Sequence, residues 1–215
     1  MVRDWQEWHS AYDDPTSSLS QRLRVVTAMI RSHLDSARPG PIRILSLCAG
    51  DGRDLADAAR GHTRAPDLSG CLVELDPLLA ERARVNLRSA EVDVAVLCTD
   101  AGSSANFVGL GPVDLLLLVG IFGNVSDDDV HRTISAVPAL CRSGATVLWT
   151  RHRRDPDLTG QIRDWFEGVG CHAISFVSDG VGRFAVGSEC FEKPDPDFVG
   201  SVMPARLFAF RDDLW

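Results

Sequence analysis

The chain has 215 residues, enough for one domain of ordinary size, and its 45% hydrophobic and 24% charged residues exclude a disordered, collagen-like or coiled-coil polypeptide. Thirty acidic against 22 basic residues give a net charge of −8, which repels a phosphate backbone and argues against general nucleic-acid binding. A single core of this size buries about 70% of the open chain's surface and needs no disulfide or metal staple.

In chain order, the start MVRDWQEWHS carries charges and no apolar h-region, so neither secretion nor membrane insertion is expected. Residues 17–36 form an amphipathic pattern, with Leu19, Leu23, Val26, Ile30 and Leu34 at helical steps on one face, ended by Pro39, Gly40 and Pro41. Short apolar runs then alternate with helical patterns: strand 42–48, helix 53–60, strand 71–75, helix 77–88, strand 92–98, strand 113–119, helix 127–140 and strand 145–150. That alternation predicts a parallel sheet flanked by helices. A helix over 158–168 follows, with strands expected at 172–177 and 206–210. Between these strands, residues 179–204 hold four glycines and three prolines and read as a long excursion, a feature that in compact domains is usually functional. The longest apolar run, Leu115–Phe122, is too short to cross a bilayer. Cysteines 48, 71, 98, 141, 171 and 190 form no C-x-x-C pair and no cluster with histidine at ligand spacing, so the expectation is reduced thiols in a cytoplasmic protein and no metal site.

The strongest chemical signal is Ile44-Leu45-Ser46-Leu47-Cys48-Ala49-Gly50-Asp51-Gly52-Arg53-Asp54, an apolar strand entering a tight glycine turn and then a helix. Such a turn lets a ligand approach the backbone closely. Glu74 ends the second strand, 22 residues beyond Gly52, where a carboxylate can accept hydrogen bonds from both hydroxyls of a ribose. Asp100 ends the third strand in the same manner. In a parallel sheet the ligand crevice lies outside the carboxyl ends of the strands, so all three features line one groove. A nicotinamide site uses a third glycine, and that position is Leu55 here.

These residues resemble the class I S-adenosylmethionine-dependent methyltransferases, most closely the compact actinobacterial type, over almost the whole chain from Trp5. In that family the first motif reads as an acid, a residue, then three alternating glycines. Ser46, Cys48, Gly50 and Gly52 occupy those positions, so the leading acid and the first glycine are replaced. The resemblance implies an α/β, Rossmann-like fold: a mostly parallel seven-stranded sheet, helices on both faces, and one antiparallel last strand at 206–210. It implies one domain over 1–215, with an N-terminal lid segment and helix in 1–40, a cofactor-binding core in 41–178, the excursion at 179–204 and the last strand within 205–215.

By the same resemblance S-adenosylmethionine is the cofactor and S-adenosylhomocysteine its product. Cys48, Ala49, Gly50, Asp51 and Gly52 would contact it at the turn. Glu74 and Leu75 would hold the ribose, and Asp100 and Ala101 the adenine. Gly120, Ile121 and Phe122 would run beside the methionine part. Asp114 matches an acid that is usually structural. Tyr12 and Arg22 are expected at the cofactor carboxylate, through hydroxyl and guanidinium hydrogen bonds. Ser126 with Asp127, Asp128 and Asp129 reads as a helix cap rather than a metal site.

Arg151-His152-Arg153-Arg154 follows the fifth strand at the same rim, which suggests Arg151 and Arg153 as contacts to an anionic acceptor and His152 or His9 as a general base. Phe184, Cys190 and Phe191 are candidates for an apolar wall, Phe191 as a substrate contact. The N/D-P-P-Y/F tetrad of nucleic-acid amino methyltransferases is replaced by Gly120-Ile121-Phe122-Gly123. The expected activity is methyl transfer to oxygen, nitrogen or carbon of a small molecule by a monomer or homodimer, with no nucleic-acid or membrane partner. The alternatives are a noncatalytic protein that binds the same adenosyl ligands and, behind it, a nicotinamide-dependent oxidoreductase.

Overall fold

Strand β1 (Ile42–Leu47) lies inside a seven-stranded sheet of order β3-β2-β1-β4-β5-β7-β6. The other strands are β2 (Leu68–Glu74), β3 (Ala95–Cys98), β4 (Val113–Leu118), β5 (Cys141–Arg151), β6 (Cys171–Ser178) and β7 (Ala185–Phe191). This computed structural model describes residue 12, residues 14–192 and residues 203–210. Strands β1 to β5 pair in parallel, whereas β7 runs antiparallel to both β5 and β6.

A central parallel strand is covered on both faces, so its side chains are apolar without interruption. In β4, Leu115 and Leu117 enter the core on one face, and Leu116 and Leu118 enter the other; all four are fully buried. The first face is covered by α1 (Ser18–Ser36), α2 (Arg53–Ala59) and α3 (Pro77–Ser89). Helix α1 presents Val26, Ile30 and Leu34 to the sheet, each side chain contributing about 1.5–3 kcal/mol by leaving water. Its first turn is capped by Ser17, whose hydroxyl accepts from Ser20 N at 3.0 Å. The second face is covered by α4 (Asp127–Ser135), α5 (Val137–Leu140) and α6 (Thr159–Gly168).

Two elements differ from the sequence expectation. The single helix expected over 127–140 is two, because Pro138 has no N–H to continue the α4 ladder. The last strand is not 206–210. Among the described residues it is β7, which falls inside the stretch read as an excursion, while 203–210 runs as a tail with an isolated bridge between Ser103 and Arg206. Strand β7 hides its nature because Gly187, Ser188 and Glu189 interrupt its apolar run, although Ser188 and Glu189 are buried.

Trp149 of β5 accounts for two of those three residues. Its Nε1 donates to Glu189 at 3.1 Å, and its indole lies so close to Gly187 that a Cβ there would stand 2.2 Å from the ring. Burial pushes the Glu189 carboxyl up, and the Trp149 donor opposes that shift. Phe191, read as a substrate contact, is 1% exposed within the core on the α4–α6 face. Gly187→Ala is therefore expected to lower the unfolding free energy by about 3 kcal/mol through overpacking, measured by urea denaturation; a loss under about 1 kcal/mol would show that Trp149 can move aside.

Candidate functional site

The strand order reverses between β1 and β4, and in open α/β sheets ligands bind outside the carboxyl ends of the strands at such a switch. A cavity of about 340 Å³ opens there, lined from β1 by Ser46 and the turn after it, from β2 by Glu74, from beyond β3 by Asp100 and Ala101, and from beyond β4 by Val119 and Gly120. Leu23 and Val26 of α1 close one side. The volume lies within the roughly 300–1,000 Å³ typical of small-molecule sites.

The turn after β1 is built on left-handed backbone. Gly50 has φ 58° and Gly52 φ 65°. Gly52 is not on the cavity wall: a Cβ there would stand 2.8 Å from Leu72 and 3.3 Å from Ala83, so the glycine seats α2 against β2 and α3. Cys48 also has positive φ, 55°, a conformation that costs a non-glycine residue of order 1–3 kcal/mol. Burial pushes its thiol well up, with Glu74 and Asp100 adding to the shift, so the sulfur is a neutral wall atom rather than a thiolate.

Glu74 ties this turn to the end of β2. Its Oε2 accepts from Gly50 N at 2.7 Å and its Oε1 from Asp76 N at 2.9 Å, and the residue is only 8% exposed. Burial raises its pKa, while the N–H groups of Asp76, Gly50 and Leu75 pull it down. Asp76 is spent on α3, accepting from Leu78 N and Leu79 N as its cap. Asp51 is gripped by Arg53, whose Nε lies 2.9 and 2.8 Å from the two carboxylate oxygens.

The end of the cavity near α1 carries Tyr12 and Arg22. Arg22 Nη2 donates to the Tyr12 hydroxyl at 2.9 Å, Ser20 Oγ donates to the Tyr12 carbonyl, and the Arg53 guanidinium sits 4.8 Å from the Tyr12 ring centre. At the opposite end, Asp100 Oδ1 accepts from Gly102 N at 2.7 Å and Oδ2 from Arg206 Nη1 at 2.8 Å. Arg206 arrives on the 203–210 tail. Leu207 N donates to the Gly102 carbonyl, Leu207 and Phe208 are buried, and Phe210 reaches the cavity wall.

The structure thus brings together Tyr12, Arg22, Cys48, Ala49, Gly50, Asp51, Glu74, Leu75, Asp100, Ala101 and Gly120. It does not bring Ile121 or Phe122, both fully buried; Phe122 packs with Trp149 and Phe166 at centroid distances of 6.2 and 6.5 Å. Arg151 is also turned into the protein, where Nη1 donates to the Phe122 carbonyl and Nη2 pairs with Asp127 at 3.3 Å. Arg153 pairs with Asp157 at 2.8 Å and also reaches Ser178. Neither arginine lines the cavity: the Phe122 carbonyl and Asp127 hold Arg151, and Asp157 and Ser178 hold Arg153.

His152 lies against the Gly123 backbone rather than on the cavity wall, and its Nδ1 accepts from Arg154 N at 3.3 Å. Burial, then Arg151 and Arg154, lower its pKa, so the ring is neutral at pH 7. His9 lies outside the described residues. Phe184 is buried in the core on the α1 face. Cysteine spacing hid one grouping: His172 and Cys190 are cross-strand partners, and with Glu192 they place three metal-ligating atoms within 4.8 Å of one another, away from the cavity. Sequence reasoning also missed Asp54 and Phe210 on the wall. Asp54 stands inside the glycine motif, whereas nothing local marks Phe210.

Solved structures share this architecture. An O-methyltransferase family protein from Burkholderia thailandensis matches with a TM-score of 0.63 and 20% identity over 82% of this chain. This chain covers 57% of that protein, less than two thirds of its length. An S-adenosylmethionine-dependent methyltransferase from Clostridium acetobutylicum matches at TM-score 0.62 and 10% identity, over 88% of this chain and 100% of that one. Fibrillarin from Aeropyrum pernix, in complex with natively bound S-adenosylmethionine, matches at TM-score 0.57 and 15% identity, over 77% of this chain and 74% of that one. No family model and no curated protein matches the sequence. At such identities the likeness is one of fold, and the fold is the Rossmann-like methyltransferase sheet.

Arg151 has changed role, from acceptor contact to a brace behind the turn that follows β4. Arg151→Met is expected to lower the unfolding free energy by about 1.5–3 kcal/mol, the range for hydrogen bonds of a charged donor. Urea denaturation monitored through Trp149 and the other tryptophans measures it, and unchanged stability would contradict the bracing role.

Proposed function

We propose that this protein binds S-adenosylmethionine in the β1–β4 cavity and transfers its methyl group to a small-molecule acceptor. The observation that carries the reading is the buried Glu74 carboxylate at the end of β2, hydrogen-bonded to the glycine turn and facing the cavity.

The donor set fits such a nucleoside. Each Glu74 oxygen accepts one backbone N–H and retains a second lone pair for a ribose hydroxyl. Asp100 has the same spare capacity toward the amino group of an adenine, with Ala101 beside it and Phe210 offering an aromatic surface. Arg22 and Tyr12 supply cationic and hydroxyl donors for a carboxylate at the other end. When bound, S-adenosylmethionine supplies a methyl group on a cationic sulfur, already activated toward a nucleophile. Leu23, Val26, Leu79 and Val119 give the cavity an apolar stretch of wall. The work left to the protein is alignment, since holding reacting atoms at about 3–3.5 Å supplies much of the rate. No proton step is assigned to His152, whose ring is off the cavity wall.

The net charge of −8 and the use of all seven strands and both helix layers by one sheet support a small acceptor over a polyanion. Glu74→Ala is expected to weaken S-adenosylhomocysteine binding by about 1.5–3 kcal/mol, or roughly tenfold to 150-fold, measured by calorimetry. A change below about threefold in folded protein would overturn the site. Transfer of labelled methyl groups to candidate metabolites then tests turnover, which a noncatalytic binder lacks.

A further inference from the structure

Five carboxylates line the cavity: Asp51, Asp54, Glu74, Asp76 and Asp100. Four are engaged structurally, Asp51 by Arg53, Glu74 by Gly50 N and Asp76 N, Asp76 by the first turn of α3, and Asp100 by Gly102 N and Arg206. Asp54 differs. It is 8% exposed, its Oδ1 accepts from Leu55 N at 2.8 Å, and among the described residues no side chain donates to it.

A buried carboxylate without a cationic or side-chain donor is costly unless a ligand supplies one. Burial pushes Asp54 up to about 6, and Asp51 adds to that, while the Leu55 N–H and the Arg22 guanidinium pull it down. Arg22, from α1, and Asp51, from the turn before α2, are the charged groups that act on it. An acid and a guanidinium therefore share one end of the cavity, the arrangement that complements a zwitterionic amino acid.

We infer that Asp54 is the acceptor for the ammonium group of the ligand's aminoacyl end, opposite the Arg22–Tyr12 pair that takes its carboxylate. This inference rests on the reading of the cavity as an S-adenosylmethionine site and assigns a residue that positions one end of it. Ser46, where the family resemblance places an acid, contributes only a hydroxyl to the same wall.

The test compares S-adenosylhomocysteine with methylthioadenosine, which shares the nucleoside and lacks the amino acid, by calorimetry on wild-type and Asp54→Asn protein. Asparagine keeps an oxygen for Leu55 N and removes the buried charge. The expected result is a loss of about tenfold to 100-fold for S-adenosylhomocysteine, with methylthioadenosine affinity within about twofold. The ligand-free variant is also expected to melt higher at pH 7.5. A carboxyl raised to about 6 in the folded state contributes stability that is present at low pH and lost as pH rises through that value, and the amide escapes the loss.

Unchanged S-adenosylhomocysteine affinity overturns the role of Asp54 while leaving the site intact. Equal loss of both ligands also overturns it, by showing a general disturbance of the cavity. Wild-type protein that binds neither ligand overturns the nucleoside reading, and this inference with it.

Discussion

Glu74 joins the two turns on which the cavity depends. One carboxylate, taken out of water at the end of β2, accepts the N–H of Gly50 with one oxygen and that of Asp76 with the other. Hydrogen bonds to a charged acceptor in a low-dielectric setting are the stronger kind, and here they fix the spacing between the first and second strand ends. The left-handed turn, the seat of α2 on Ala83 and the cap of α3 all follow within a few residues of that bridge. On the proposed reading, the side chain that organises the cavity is also the one that would meet a ribose, so the site's shape and its recognition chemistry would not be independent.

The wall formed by β4 is held from behind. Gly120 N donates to Thr150 Oγ1 at 2.8 Å, Asn124 Nδ2 donates to the Gly120 carbonyl, and Arg151 donates to the Phe122 carbonyl. Thr150 and Arg151 belong to β5, which Trp149 in turn locks to β7 through Gly187 and Glu189. The antiparallel strand thus supports the cavity across two intervening contacts although none of its residues lines it. Among the described residues, two buried side-chain nitrogens have no hydrogen-bond partner, Arg151 Nε and His33 Nε2, the latter on the ring whose Nδ1 meets Thr146 of β5.

Much of this was readable from local pattern. Strand, glycine turn and helix in immediate succession, and an acid at the end of the next strand, are signals confined to a few tens of residues, and they place Gly50, Glu74 and Asp100 around one cavity. Alternating apolar periods likewise located six of the seven strands. Strand β7 was missed because its polar residues are buried by partners on β5, forty residues away. Arg151 was misread because strand alternation shows which side a residue faces but not whether a carbonyl such as that of Phe122 already occupies that side. The spacing of His172, Cys190 and Glu192 was uninformative for a similar reason, since an antiparallel register decides their proximity. Asp54 was visible in the motif, but only its burial and lack of a side-chain donor distinguish it from an ordinary first-turn acid.

The 203–210 tail lies across the residues that follow β3 and packs Leu207 and Phe208 beneath itself, with Thr133 Oγ1 and Arg132 reaching the Leu207 carbonyl. It supplies Phe210 to one cavity wall and Arg206 to Asp100. For any ligand that touches Phe210 or Asp100, docking of the tail and occupancy of the cavity would be linked, with one coupling free energy in both directions. Whatever the tail would add to the affinity of such a ligand, the ligand would return as tighter docking of the tail.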